Sequence, residues 1–368
     1  MSKRFSNRLV VVGGGLFGIS ILFLILLIRV FQSPVTTSRD QIVREERPLM
    51  GTIWLVQLSI GTDDSDAKAR TALEDVFSEL SRIENLMSEW KEDSPVSSIN
   101  AAAGEELVPV PEELRLLIER ALAYGEVTEG SFDITWKGMA HLWNFSESFT
   151  VPSPEAIQAA LSRVDFRKVE IDGDRVGLSE AGMALGLGGI AKGYAIDQAA
   201  RVLRKQGFAN FLINGGGDVL TAGTRAGQPW RIGVRAPRGR NNQLVARLQL
   251  SGGAVVTSGD YERFKIVDGV RYHHIIDPRI GQPARASQSV TIVAPSAEEA
   301  DVLATAVFVL GPAKGLKLVS ERADTEVFVI DESGKFWMTT GFEKTGPVLL
   351  TQPAPVCLDS GIQTKSIY

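Results

Sequence analysis

Histidine is scarce in this chain and cysteine nearly absent, at three and one in 368 residues. With so little imidazole, a reaction that needs a general base near neutral pH has few groups to draw on. The lone Cys357 excludes an intrachain disulfide and any cysteine-built metal cluster. A broad basic footprint is also missing. The formal charge is −5, and setting aside Lys3, Arg4, Arg8 and Arg29 leaves −9, which argues against a nucleic-acid partner. No fixed-period repeat and no low-complexity run interrupts the chain, so a solenoid is not in question.

One long apolar run is present, and it comes first. Residues 9–28 carry no charged side chain, and at about 1.5 Å per residue such a helix spans a hydrocarbon core of about 30 Å. Lys3, Arg4 and Arg8 precede it with no acid among them, so the positive-inside rule leaves residues 1–8 in the cytoplasm and sends the chain beyond Arg29 across. The expectation is a single-pass anchor at residues 9–31 in the inner membrane, with the main body facing the periplasm or the cell exterior. A cleaved signal peptide is the alternative, but the run is long for one and Phe31-Gln32-Ser33-Pro34 is a poor small-residue cleavage site. Gly13-Gly14-Gly15-Leu16-Phe17-Gly18 matches the dinucleotide fingerprint, yet it lies inside this run and no βαβ unit comes after it.

Beyond a linker at residues 32–47, the patterning predicts one α+β domain over 48–342 and an irregular tail over 343–368. Residues 52–60 alternate as a half-buried strand, and 65–87 switch to helical spacing behind a cap at Asp64 or Ser65. Further helices are expected at 111–126, 154–163, 193–206 and 297–310. Short strands are expected at 168–171, 175–178, 211–213, 219–222, 230–234, 244–250, 264–267, 272–276, 288–293 and 326–330. Hairpins dominate the second half, so the sheets should be largely antiparallel or mixed, with flanking helices.

Four stretches carry candidate chemistry. Leu185-Gly186-Leu187-Gly188-Gly189-Ile190-Ala191-Lys192-Gly193 runs into a helix, where backbone N–H groups approach a phosphate and Lys192 adds a charge. A glycine turn for close helix packing explains the same residues. Asn214-Gly215-Gly216-Gly217-Asp218 reads by itself as a hairpin, and Glu129-Gly130-Ser131-Phe132-Asp133 either grips a ligand or caps a helix. Asp301 and Thr305 share one helix face, a capping pair or a hard-cation site of the kind magnesium accepts. Arg271-Tyr272-His273-His274-Ile275-Ile276-Asp277-Pro278 holds two of the three histidines, at a strand end beside a turn.

Taken in order, these stretches resemble one family, the ApbE-type FAD:protein FMN transferases. The matching pieces are Met50-Gly51-Thr52, residues 88–100, Gly130-Ser131-Phe132-Asp133 with Leu142-Trp143, residues 188–197 and residues 214–218. Thr257-Ser258-Gly259-Asp260-Tyr261, His274-Ile275-Ile276-Asp277-Pro278 and Ala300-Asp301 with Ala304-Thr305-Ala306 complete the set, over roughly residues 48–342. The resemblance implies an ApbE, T-fold-like architecture and an exported enzyme that cleaves FAD with magnesium. It would attach FMN to a threonine or serine of a target flavoprotein and release AMP.

On the same resemblance, Asp301, Thr305 and the backbone carbonyl of Gly189 match metal ligands, and His274 matches the base that activates the acceptor hydroxyl. Met50, Trp90, Gly130, Ser131, Asp133, Lys192 and Ile275 match FAD-pocket positions, Trp90 standing where a tyrosine is usual. Gly186 stands where the family usually has aspartate, so one expected FAD contact is lost. His273, alternating to the opposite strand face, is expected to take no part. The rivals are an FAD pyrophosphatase that delivers FMN and AMP to water, and an exported flavin-binding or assembly protein.

Overall fold

The computed structural model describes residues 41–344 apart from 62–63, 146–147 and 241–242, together with short strands at Val348–Leu349 and Val356–Leu358. The predicted cytoplasmic tail, the anchor at 9–31, the glycine fingerprint within it and the first part of the linker lie outside the described residues. Among the described residues no helix is long and apolar enough to cross a membrane.

One nine-stranded sheet organises the domain. Its strands are β1 (Gln41–Leu49), β2 (Thr52–Ile60), β3 (Phe211–Gly215), β4 (Asp218–Ala222), β5 (Gly252–Gly259), β6 (Ser287–Ala294), β7 (Glu326–Asp331), β8 (Phe336–Thr339) and β9 (Val356–Leu358). They lie side by side in that sequence order, antiparallel throughout except for the parallel pair β8–β9. Adjacent strands therefore remain neighbours however long the segment inserted between them.

Period-two alternation gives this sheet two faces. Ile213, Leu220, Val256, Ile292 and Val329 point to one side, where they pack against helices α1 (Asp66–Met87), α3 (Ala191–Lys205) and α4 (Ala297–Leu310). Helix α2 (Glu112–Val127) joins the same core through Leu114, Leu117 and Ile118. Leu212, Val219, Val255, Val293 and Phe328 point to the other side, where the hairpin Trp230–Arg235 with Leu244–Leu250 covers them. Each fully buried Leu, Ile or Phe contributes about 1.5–3 kcal/mol, which lets the domain stand without a disulfide.

The α+β expectation holds, and its strongest helices have the predicted limits. Ser65 caps α1 by accepting the Lys68 N–H at 3.1 Å, and Ser296 caps α4 by accepting that of Glu299 at 3.1 Å. Two segments differ from expectation. Residues 41–47, read as linker, are most of β1 and pair with β2 along its whole length. Only Val43 of β1 is buried, while Arg47 reaches Glu45 and Glu74, so the edge strand shows no apolar alternation. The tail over 343–368, read as irregular, contributes Val348–Leu349 to the hairpin's sheet and β9 to the main one.

The histidine segment departs as well. The strand expected over 272–276 stops at His273, which ends the ribbon Phe264–Val267 with Val270–His273, and a new pairing starts at Ile276–Asp277 with Gln282–Pro283. Between them the Ile275 N–H turns back onto His273 Nδ1 at 3.3 Å and the Ala284 N–H donates to the Ile275 carbonyl at 3.0 Å. Trp143 clamps the adjoining turn by donating to the Gly281 carbonyl at 3.0 Å, within a small cluster of Met139, Ile157 and Ile276.

Candidate active site

The site begins with glycine used for space. A β-carbon on Gly193 would collide with the backbone carbonyl of Ala297, so only glycine lets the first turn of α3 meet the first turn of α4. Asp197, one turn further along α3, accepts the Ala297 and Glu298 N–H groups at 3.0 and 2.9 Å and locks the crossing. That approach brings Asp301 Oδ2 to the Gly193 N–H at 3.0 Å.

Ahead of α3, Leu185, Leu187 and Ile190 are buried and pin the loop from below, while Gly188 is exposed. Asn100 holds Leu185 from both sides, accepting its N–H at 2.6 Å and donating to its carbonyl at 3.0 Å. A β-carbon on Gly189 would lie 3.5 Å from Thr305 Oγ1, so the loop approaches this face of α4. Phe132, from the loop at 129–133, closes on the same glycine.

Lys192 completes this corner. Its ammonium pairs with Asp218 Oδ2 and lies 3.8 Å from Asp301 Oδ1. Both carboxylates are buried, at 4% and 3% exposure. Burial opposes the charge on Lys192, but the two carboxylates outweigh it and raise the lysine pKa. Burial also raises the Asp301 pKa, more than Lys192 lowers it. Two buried carboxylates around one lysine ammonium leave negative charge in excess, and a cation suits the place. Among the described residues no three His, Cys, Asp or Glu side chains gather as a metal cage. The donors would be the Asp301 carboxylate, the Thr305 hydroxyl and, on the family resemblance, the Gly189 carbonyl, all hard oxygens of the kind magnesium prefers.

Asp218 was not among the predicted site residues. Its place comes from the β3–β4 hairpin, whose two-residue turn Gly216-Gly217 has φ of +67° and +106°. The signal was present in Asn214–Asp218, where a carboxylate comes after three glycines, but nothing in the spacing says which cation it meets.

His274 sits where the ribbon ends. Its N–H donates to the Arg263 carbonyl at 3.1 Å, and its Nδ1 is buried with no hydrogen-bond partner among the described residues. Burial lowers its pKa to about 4, with His273, Arg263 and Lys192 adding to the effect. His273 differs: it is 3% exposed, contacts the Ala284 carbonyl through Nε2 at 2.7 Å and packs edge-on against Phe308. The neighbour expected to take no part in chemistry therefore has a structural task.

The remaining predicted residues are spread more widely. Met50 lies at the β1–β2 turn with φ of +48°, its N–H donating to Glu84 Oε1 at 2.7 Å. Trp90 is 79% exposed with the Lys137 ammonium 3.4 Å from its ring centroid. Ser131 Oγ is buried without a partner among the described residues. Asp133 is already engaged, accepting from the Thr135 N–H and hydroxyl at 2.7 and 2.6 Å and the Phe166 N–H at 2.9 Å. Gly130 and Asp133 line a cavity of about 460 Å³ with Glu129, Phe166 and Arg279, and none of Lys192, Asp301, Thr305 or His274 lines it. Ile275 is buried in the main core, and Gly186 is enclosed by Trp136, Glu89 and Lys137.

Comparison with known proteins gives the same outline. Residues 50–329 match the model of the ApbE family. An FAD:protein FMN transferase from Treponema pallidum is 39% identical over 282 residues, 72% of this chain and 78% of that protein. The crystal structure of the ApbE protein from Thermotoga maritima superposes with a TM-score of 0.76 at 37% identity, covering 83% of this chain and 99% of that one. The flavin transferase ApbE from Vibrio cholerae gives 0.75 at 28% identity, with 83% and 99% covered.

Proposed function

The chain belongs to the ApbE family, and on that premise we propose that it is an FAD:protein FMN transferase, moving FMN from FAD to a threonine or serine of a target flavoprotein with release of AMP. One observation carries the reading: the half-buried Lys192 joins the buried Asp218 and Asp301 in a charged corner beside the Gly189 loop and Thr305. Flavin binding alone has no use for such a corner, whereas cleavage of a diphosphate does.

Lys192 neutralises charge that develops on the leaving phosphate and keeps Asp218 as its counter-ion. Asp301, Thr305 and the Gly189 carbonyl would hold magnesium, which when bound supplies Lewis-acid neutralisation of phosphate oxygens. With its pKa near 4, the His274 ring is neutral at pH 7 and free to take a proton. It takes the proton of the acceptor hydroxyl as that oxygen bonds to the FMN phosphorus. The bond from this phosphorus to the bridging oxygen breaks, and AMP leaves with that oxygen. The anionic diphosphate raises the His274 pKa toward the range where a general base works best. Met50, Trp90, Gly130, Ser131, Asp133 and Ile275 serve as FAD-pocket positions, and the anchor at 9–31 keeps the domain at the outer face of the inner membrane.

Incubating the protein with FAD, magnesium and a threonine-bearing flavoprotein tests the reading. AMP release together with an FMN mass increase on the target is expected. AMP and free FMN without an adduct would make it a pyrophosphatase, and FAD recovered intact would leave only a binding protein.

A further inference from the structure

We propose that Glu89 is a positioning residue of the FAD pocket, fastening the Trp90 platform to the glycine loop and filling the space that a side chain at residue 186 would need. The inference rests on the flavin-transfer reading and deepens it. The Glu89 side chain is 8% exposed, and both of its oxygens are engaged. Oε1 meets the Lys137 ammonium at 2.9 Å, and Oε2 accepts the Leu187 N–H at 3.1 Å. Lys137 in turn lies over Trp90, 3.4 Å from the ring centroid, in the range of a cation–π contact. Trp90 is otherwise 79% exposed and open to a planar ligand. One carboxylate therefore connects an exposed aromatic surface with the backbone two residues before Gly189.

Residue 186 is closed in by the same group. A β-carbon there would lie 2.8 Å from Trp136 Nε1, 3.1 Å from Glu89 Oε2 and 3.1 Å from Lys137 Cβ. Its φ lies outside the left-handed region, so space rather than backbone demands glycine. The peptide is also tied on both sides, Gly186 N–H to the Ile134 carbonyl at 2.7 Å and Trp136 Nε1–H to the Gly186 carbonyl at 3.2 Å. The acidic group at this wall thus comes from residue 89, and a second one at 186 would meet a like charge in a dry place. Losing Glu89 leaves the Lys137 ammonium and the Leu187 N–H without this partner. Trp90 and the loop then lose their common anchor, which weakens FAD binding before it touches the chemical step.

The test uses the full chain and four variants, Glu89→Gln, Glu89→Ala, Gly186→Asp and the double variant Glu89→Ala/Gly186→Asp. FAD dissociation constants, KM and kcat from AMP release, and melting temperatures are measured for each. Glu89→Ala should raise the dissociation constant and KM for FAD roughly tenfold, with kcat within about threefold. Glu89→Gln, which keeps an acceptor for Leu187, should fall between it and the unaltered protein, and it remains informative if the alanine variant fails to fold. Gly186→Asp should be less harmful in the Glu89→Ala background than alone. Effects that simply multiply, or a kcat loss with an unmoved KM, would overturn the inference. An unaltered chain that binds no FAD would instead sink the flavin reading itself.

Discussion

The crossing of α3 on α4 and the turn that carries His274 both hold polar groups in dry surroundings, by opposite means. At the crossing each charge meets a partner: Asp301 has the Gly193 N–H and Lys192, and Lys192 has Asp218. At the turn His274 Nδ1 has none among the described residues, and the ring sheds its charge. A paired ion stays fixed, whereas an unpaired imidazole is free to accept a proton when a substrate arrives. The crossing holds charge, and under the proposed function the turn exchanges it.

Asp301→Ala should break the first half of that contrast most severely. Lys192 would keep Asp218 alone, and magnesium-dependent AMP release should fall by about 10⁴-fold or more. Unchanged magnesium dependence would remove Asp301 from the site. His274→Ala should slow transfer by about 10²- to 10⁴-fold while FAD still binds, and a full transfer rate would end its assignment as the base. Gly193→Ala attacks the crossing through space alone. It should cost roughly 3 kcal/mol in denaturant unfolding, because a backbone carbonyl must move, and an unshifted midpoint would show that the helices can part freely.

Within the turn, His273→Ala should destabilise the fold by about 1–3 kcal/mol, more than His274→Ala does. Equal losses would erase the difference between the two rings. The smallest effect is one of slope. Unfolded histidine takes its proton near pH 6.5, whereas folded His274 waits until about pH 4. The unfolded state then binds more protons between those values, so the stability conferred is complete above pH 6.5 and is lost as pH falls toward 4. His274→Ala should flatten that decline by at most one proton, about 1.4 kcal/mol per pH unit. An unaltered slope would mean that the ring is not neutralised by burial.

Legibility in the sequence tracked the physics of each element. Helix α4 was readable to its ends because a three-to-four apolar repeat acts locally. Strands β5 and β8 were not foreseen. β5 is Gly-Gly-Ala-Val-Val-Thr-Ser-Gly, buried on both faces at its centre, so it shows no alternation. β1 was hidden for the reverse reason, as an edge strand rich in charge. In the site, Asp301 and Thr305 were visible as one helix face. Asp218 and Glu89 were not, because their partners lie 26 and 48 residues away.

By itself the sequence determined what depends on neighbours along the chain: the helical repeats and caps, the glycine turns, the scarcity of imidazole and the ordered motifs that mark the family. Tertiary structure alone decided which charges meet. The sheet order sets β4 beside the first turn of α3, Gly193 admits α4, and only then does Lys192 meet the buried carboxylates of Asp218 and Asp301. The same folding buries His273 as a support and leaves His274 Nδ1 without a partner among the described residues. Desolvation and close approach are properties of the packed chain, and no local spacing encodes them.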